Sequence, residues 1–203
     1  MIDYFALHDV RSSLFKPHQF ISYMFLHEAR GPGGAIVFTH IFFNMFALWM
    51  FGSTLENFWG SKRFLNFYMI CGIGAVVINM TIMYFHNTSL IQSLPDPGAT
   101  DPYSGAPLRS EILDVPLLGA SGAIFGVLVA FGYTFPNTEM ILIPIPFPIK
   151  AKWLVIGYVL LELYSGIRDT PGDQVAHYAH LGGGLVGFVM VYIWNRTNRR
   201  DFY

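Results

Sequence analysis

The chain has 203 residues, of which 53% are hydrophobic and 12% charged, with 12 Lys and Arg against 13 Asp and Glu. A soluble domain carries about 25% charged residues, so this composition, with a mean hydropathy of +0.44, excludes an ordinary soluble globule and predicts an all-α polytopic membrane protein. A net charge of -1 gives no footprint for nucleic acid, and the single cysteine, Cys71, excludes an internal disulfide and offers no zinc signature.

Residues 1–37 are mixed in character and predict an outer interfacial loop, because aromatic rings settle at the membrane–water boundary and Phe15 to His27 is aromatic-rich but broken by polar residues. Gly31-Pro32-Gly33-Gly34 predicts a turn. His8, His18 and His86 are read as interfacial, and His27 as a support for this loop. About 20 apolar residues cross a bilayer, and five such stretches follow: about Phe38 to Phe58, Phe64 to Phe85, Leu117 to Phe135, Trp153 to Ile167 (short) and His177 to Trp194. Residues 86–116 predict a polar loop with five prolines, and Pro136 to Ile149 a short Pro-rich connector. The whole of 1–203 reads as one domain, with 38–195 as its membrane part and 196–203 as a cytoplasmic tail.

Lys62, Arg63, Lys150, Lys152, Arg196, Arg199 and Arg200 sit at span ends on one side. The bias of Lys and Arg toward the cytoplasm puts the C-terminus on the cytoplasmic side of a cell membrane. Spans one, three and five then all run inward. At 1.5 Å per residue, His40 and Asn44, Ser121, and His180 each fall roughly 3 to 10 Å below the outer surface.

Polar groups at membrane depth are costly and mark function. Ser121 in Gly119-Ala120-Ser121-Gly122 is, taken alone, either a small packing residue between helices or a nucleophile; the shared depth of four polar groups on three helices favours the site. Serine needs an adjacent base, which His180 supplies. His40 and Asn44, spaced i and i+4, share a helix face and can donate to a developing oxyanion. With Glu56 and Glu162 placed elsewhere along their helices, the reading is a Ser-His dyad. Gly122 with Gly126, and Gly183 with Gly187, are small-xxx-small pairs that let backbones approach, which predicts Ser121 within hydrogen-bond reach of His180. Phe125 either stacks on His180 or packs as an ordinary core ring. His177 is read as a gate for water near the outer mouth. Metal binding by His177 and His180 lacks a third ligand, so no metal is expected.

These motifs together resemble the rhomboid family of intramembrane serine proteases. Gly119-Ala120-Ser121-Gly122 is similar to its serine motif. Ala179-His180-Leu181-Gly182-Gly183-Gly184-Leu185-Val186-Gly187 is similar to its histidine motif, and His40-Ile41-Phe42-Phe43-Asn44 to its oxyanion helix. Gly52, Glu56, Gly60 and Arg63 repeat a further pattern. The resemblance covers roughly residues 15 to 195. It implies a rhomboid-like helical bundle whose first helix is missing from the five spans visible here. It also implies cleavage of transmembrane segments of other proteins in the lipid bilayer, with Ser121 as nucleophile, His180 as base and acid, and no cofactor. His40, Asn44 and the Ser121 N–H would form the oxyanion hole. His18-Gln19 stands near a place where many bacterial members have Trp-Arg, and Phe125 stands where some have Tyr. A proteolytically inactive client-binding relative and a transporter are the alternatives; a transporter would spread polar groups over the full membrane depth. A water-accessible cavity opening outward is expected, capped by 168–176, with the fourth span moving to admit substrate. The oligomeric state is open.

Overall fold

The computed structural model describes residues 1–27, 38–141, 147–168 and 174–197, except the side chains of residues 39, 40 and 174–176. Short helices α1 (Ile2–Phe5) and α2 (Gln19–Ser22), with a single 3₁₀ turn at Tyr23–Phe25, open the chain. Helix α3 (Phe38–Ala47) runs through a π-turn at Leu48–Gly52 into α4 (Ser53–Trp59). The long α5 (Ser61–Gln92) and the short α6 (Leu108–Leu113) precede α7 (Ser121–Thr134). A two-residue hairpin, β1 (Glu139–Met140) and β2 (Ile149–Lys150), leads into α8 (Ala151–Ile167) and α9 (Gln174–Thr197). The Gly31–Gly34 turn lies outside the described residues.

By length and composition α5 is the one described helix apolar enough to cross a membrane, and α7 is a shorter apolar helix. The surface carries the same message: Phe42, Phe43, Trp49, Trp153, Leu160 and Leu161 are all more than half exposed. Water would penalise so many exposed large apolar side chains, whereas acyl chains solvate them.

Helix α7 is the axis of the bundle. It packs against α5, α8 and α9, and every residue from Gly122 to Val127 is buried. Such a helix is apolar all round because every face meets protein. Its contact with α9 is drawn in to backbone distance by glycines. A Cβ on Gly183 would fall on the carbonyl oxygen of Gly122, and one on Gly187 would lie 2.8 Å from that of Gly126.

The N-terminal segment packs into the protein. Leu7, Tyr23 and Met24 belong to the main core. Leu7 pairs with Leu117 through reciprocal backbone hydrogen bonds of 2.9 and 2.8 Å, and the Tyr23 hydroxyl donates to the Gly72 carbonyl at 2.7 Å. His8, read as interfacial, is buried within the protein. His18 remains exposed, its Nε2 bonded to the Tyr4 carbonyl at 2.8 Å. The polar residues here carry the packing: Gln19 is fully buried and bonds to Lys16 N–H and the Leu14 carbonyl.

This segment also explains why α5 runs past Phe85, where its apolar stretch ends. The Asn87 amide donates to the Asp9 carboxylate at 3.0 Å, and the Arg11 guanidinium donates to Thr88 Oγ1 at 2.7 Å. The polar face of the added turns is thus satisfied by protein. Arg11 in turn grips Asp9 with bonds of 2.8 and 2.7 Å. Burial works to raise the Asp9 carboxyl, but the donors from Arg11 and Asn87 outweigh it and hold it below the ordinary aspartate value.

Candidate active site

The approach to Ser121 is fixed by two backbone features. Gly119 has φ +124°, a conformation that strains any residue with a Cβ. Its N–H donates to the Tyr23 carbonyl at 2.9 Å. The chain then turns directly into α7, with Ser121 as its first residue and half-buried. The first intrahelical bond joins Ile124 N–H to the Ala120 carbonyl, so the amides of Ser121, Gly122 and Ala123 precede the ladder. A helix N-terminus presents free N–H groups and a partial positive charge, which suits an oxyanion.

His180 lies on α9 beside this end of α7. Gly122 allows it: a Cβ there would sit 3.1 Å from the Ala179 carbonyl. The stack expected as one option for Phe125 is what the structure has. The two rings are 5.8 Å apart and only 13° from parallel, and Phe125 also leans on Tyr158 of α8 at 5.9 Å. His180 Nε2 is buried without a hydrogen-bond partner, so the expected hydrogen bond to Ser121 is not formed in this state. Such catalytic bonds often tighten only in the substrate complex.

Asn44 lies half-buried on α3, and its Nδ2 is buried with no hydrogen-bond partner, an amide whose donors await an acceptor. His40 is on the same helix, one turn earlier, and its side chain is outside the described residues.

One expectation is overturned. An acidic residue does lie beside the histidine: Glu162 Oε2 is 3.1 Å from His180 Nδ1. It is also 2.6 Å from His177 Nδ1, to which it is hydrogen-bonded. The Glu162 side chain is only 10% exposed and those of both histidines 16%. The sequence held the signal. On the topology expected from the span-end charges α8 runs outward, and Glu162 stands five residues before its end at Ile167, roughly 7.5 Å from that end at 1.5 Å per residue. Depth counted along the inward-running spans alone misses it. The 3.1 Å contact is a charge contact, and Nδ1, like Nε2, makes no hydrogen bond in this state; a carboxylate that closes onto Nδ1 selects the tautomer that carries its proton there and leaves the lone pair on Nε2. The arrangement can therefore support a neutral histidine acting as base, with a carboxylate behind it. Tyr178 ties the same two helices together, its hydroxyl donating to the Gly166 carbonyl at 2.8 Å.

The model of the Rhomboid domain matches residues 15–197. The chain belongs to the rhomboid family. Rhomboid protein 1, mitochondrial, of Saccharomyces cerevisiae is 29% identical over 157 residues, covering 77% of this chain and 38% of the yeast protein. Rhomboid protease AarA of Providencia stuartii is 26% identical over 155 residues, 73% of this chain and 48% of that protein. The human presenilin-associated rhomboid-like protein, mitochondrial, is 30% identical over 154 residues, 73% of this chain and 32% of its own length. This rhomboid thus spans less than half of each of these relatives. Two of the three are named as mitochondrial and one comes from a bacterium, so these names do not single out a bacterial inner membrane.

Proposed function

We propose that this rhomboid is an intramembrane serine endopeptidase that cleaves transmembrane segments of other membrane proteins. The observation that carries the reading is the juxtaposition of a serine at the N-terminus of α7 with a histidine held on the next helix by Phe125 and Glu162. Ser121 Oγ attacks the scissile carbonyl, and His180 Nε2 takes its proton and later returns one to the leaving amine. Asn44, His40 and the amides that open α7 stabilise the oxyanion. The protease names of the Providencia protein and of GluP from Bacillus subtilis support the same chemistry. In place of an isolated Ser-His dyad, Glu162 stands behind the base as a positioning residue. The span-end lysines and arginines support a cytoplasmic C-terminus and a site near the outer face.

The test is incubation of the detergent-solubilised protein with a model transmembrane substrate, beside Ser121→Ala. Cleavage by the wild type and none by the variant is expected. Equal cleavage by both overturns the reading.

A further inference from the structure

We propose that Glu162, His177 and His180 form a binding site for one divalent transition-metal ion of the zinc class, and that the ion switches the catalytic base off. The second half rests on the protease reading; the first does not.

The three side chains converge from two neighbouring helices. One ligand atom from each lies within 4.8 Å of the others. Two imidazoles and a carboxylate are a set that zinc takes, at about 2.0 to 2.2 Å from each atom, which separates tetrahedral ligands by about 3.4 Å. The two histidines are spaced i and i+3, so they share one face of α9, and the carboxylate enters from α8. At 2.6 and 3.1 Å the carboxylate oxygen is nearer to the two nitrogens than a shared metal would hold it. Opening the Glu162–His177 contact by about 0.8 Å and the Glu162–His180 contact by about 0.3 Å reaches the tetrahedral separation and admits the ion, with water in the fourth position. The residues are partly exposed, which gives the ion a path in.

The consequence for His180 follows from the tautomer. With Glu162 alone at Nδ1, the proton sits on Nδ1 and the lone pair on Nε2 is free to accept the serine proton. A metal at Nδ1 takes that lone pair, and the neutral ring must carry its proton on Nε2. The nitrogen facing the nucleophile becomes a donor and no longer acts as a base. The same three side chains therefore give a competent base when bridged by protons and a blocked one when bridged by metal.

The binding arm uses the full chain in detergent, in a Ser121→Ala background so that it is independent of proteolysis. After stripping with a chelator, cobalt(II) is titrated and followed by its visible absorption, and zinc is measured by dialysis and elemental analysis. One ion per chain is expected. His177→Gln and Glu162→Gln should each weaken binding at least tenfold, in line with the roughly 10- to 100-fold cost known even for outer-shell partners. Near-UV circular dichroism confirms that both variants are folded. Absence of bound metal, or equal affinity in both folded variants, overturns the site. In the activity arm, wild-type cleavage should fall with zinc and return with chelator, and the zinc midpoint of His177→Gln should shift at least tenfold upward relative to its own metal-free rate. Full cleavage at saturating zinc overturns the switch. A chain that binds metal yet cuts nothing after chelation upholds the site and overturns the protease reading.

Discussion

Glu162 Oε2 lies 3.1 Å from His180 Nδ1, so a carboxylate stands behind the imidazole that faces the serine helix. Substituting Glu162→Gln keeps the shape and removes the charge that selects the tautomer. Cleavage by metal-free protein is expected to fall about 10- to 100-fold, the scale on which a mispositioned catalytic group costs rate. Single-turnover kinetics against a transmembrane substrate checks it, and an unchanged rate would remove Glu162 from any role.

Asn44 separates function from stability. Its Nδ2 has no partner in the resting protein, so Asn44→Ala removes an amide donor that holds nothing in place. The thermal midpoint should barely move, within about 0.5 kcal/mol. Cleavage should fall on the order of 100-fold, as for the loss of one oxyanion donor. A large loss of stability with a matching loss of rate would make Asn44 a packing residue.

The backbone contact between α7 and α9 predicts the opposite pattern at Gly183. A methyl there meets the Gly122 carbonyl, and neither helix backbone yields cheaply. Gly183→Ala should cost about 3 kcal/mol or more, with activity lost alongside. Thermal unfolding in detergent reads the first and substrate cleavage the second.

Phe125 supports His180 by stacking as well as by filling space. Phe125→Leu retains an apolar side chain but not the ring. It should destabilise by less than the about 3 to 5 kcal/mol of a Phe→Ala change while cleavage falls well below wild type. Phe125→Tyr keeps the ring and should stay active. Equal rates in Phe125→Leu and wild type would reduce the ring to core packing.

Asp9 predicts a pH dependence outside the membrane part. Its carboxyl is held below the ordinary value by Arg11 and Asn87. The stabilisation is therefore fully present above the unfolded value of about 3.9 and is lost as pH falls through the folded one. Asp9→Asn should be less stable than wild type at pH 7, by about 1 to 3 kcal/mol, and the gap should close in strong acid. Thermal midpoints of the two proteins between pH 7 and pH 2 check it.

The residues differ in how legibly the sequence carries their roles. Ser121, His180 and the glycine pairs are readable because small residues and a histidine inside apolar stretches have few reasons to be there. Glu162 is equally conspicuous, but its meaning depends on counting depth from the far end of its own helix. The N-terminal segment is the harder case. Leu7, His8 and Tyr23 lie in a stretch without helical periodicity, and their burial follows from tertiary partners at Leu117 and Gly72 that no local pattern announces. The extension of α5 beyond Phe85 has the same cause, since the bonds that satisfy Asn87 and Thr88 come from residues 9 and 11.

The Gly119 amide is bonded to Tyr23, and the α7–α9 contact brings residues 122 and 183 to backbone distance. The site is therefore stitched by contacts that span 96 and 61 positions of sequence, and such long-range closures form slowly. During synthesis the nucleophile emerges and inserts well before its base. On the proposed protease reading, a nascent chain carries a harmless serine until its last helix arrives, and neighbouring proteins at the translocon never meet a half-built site.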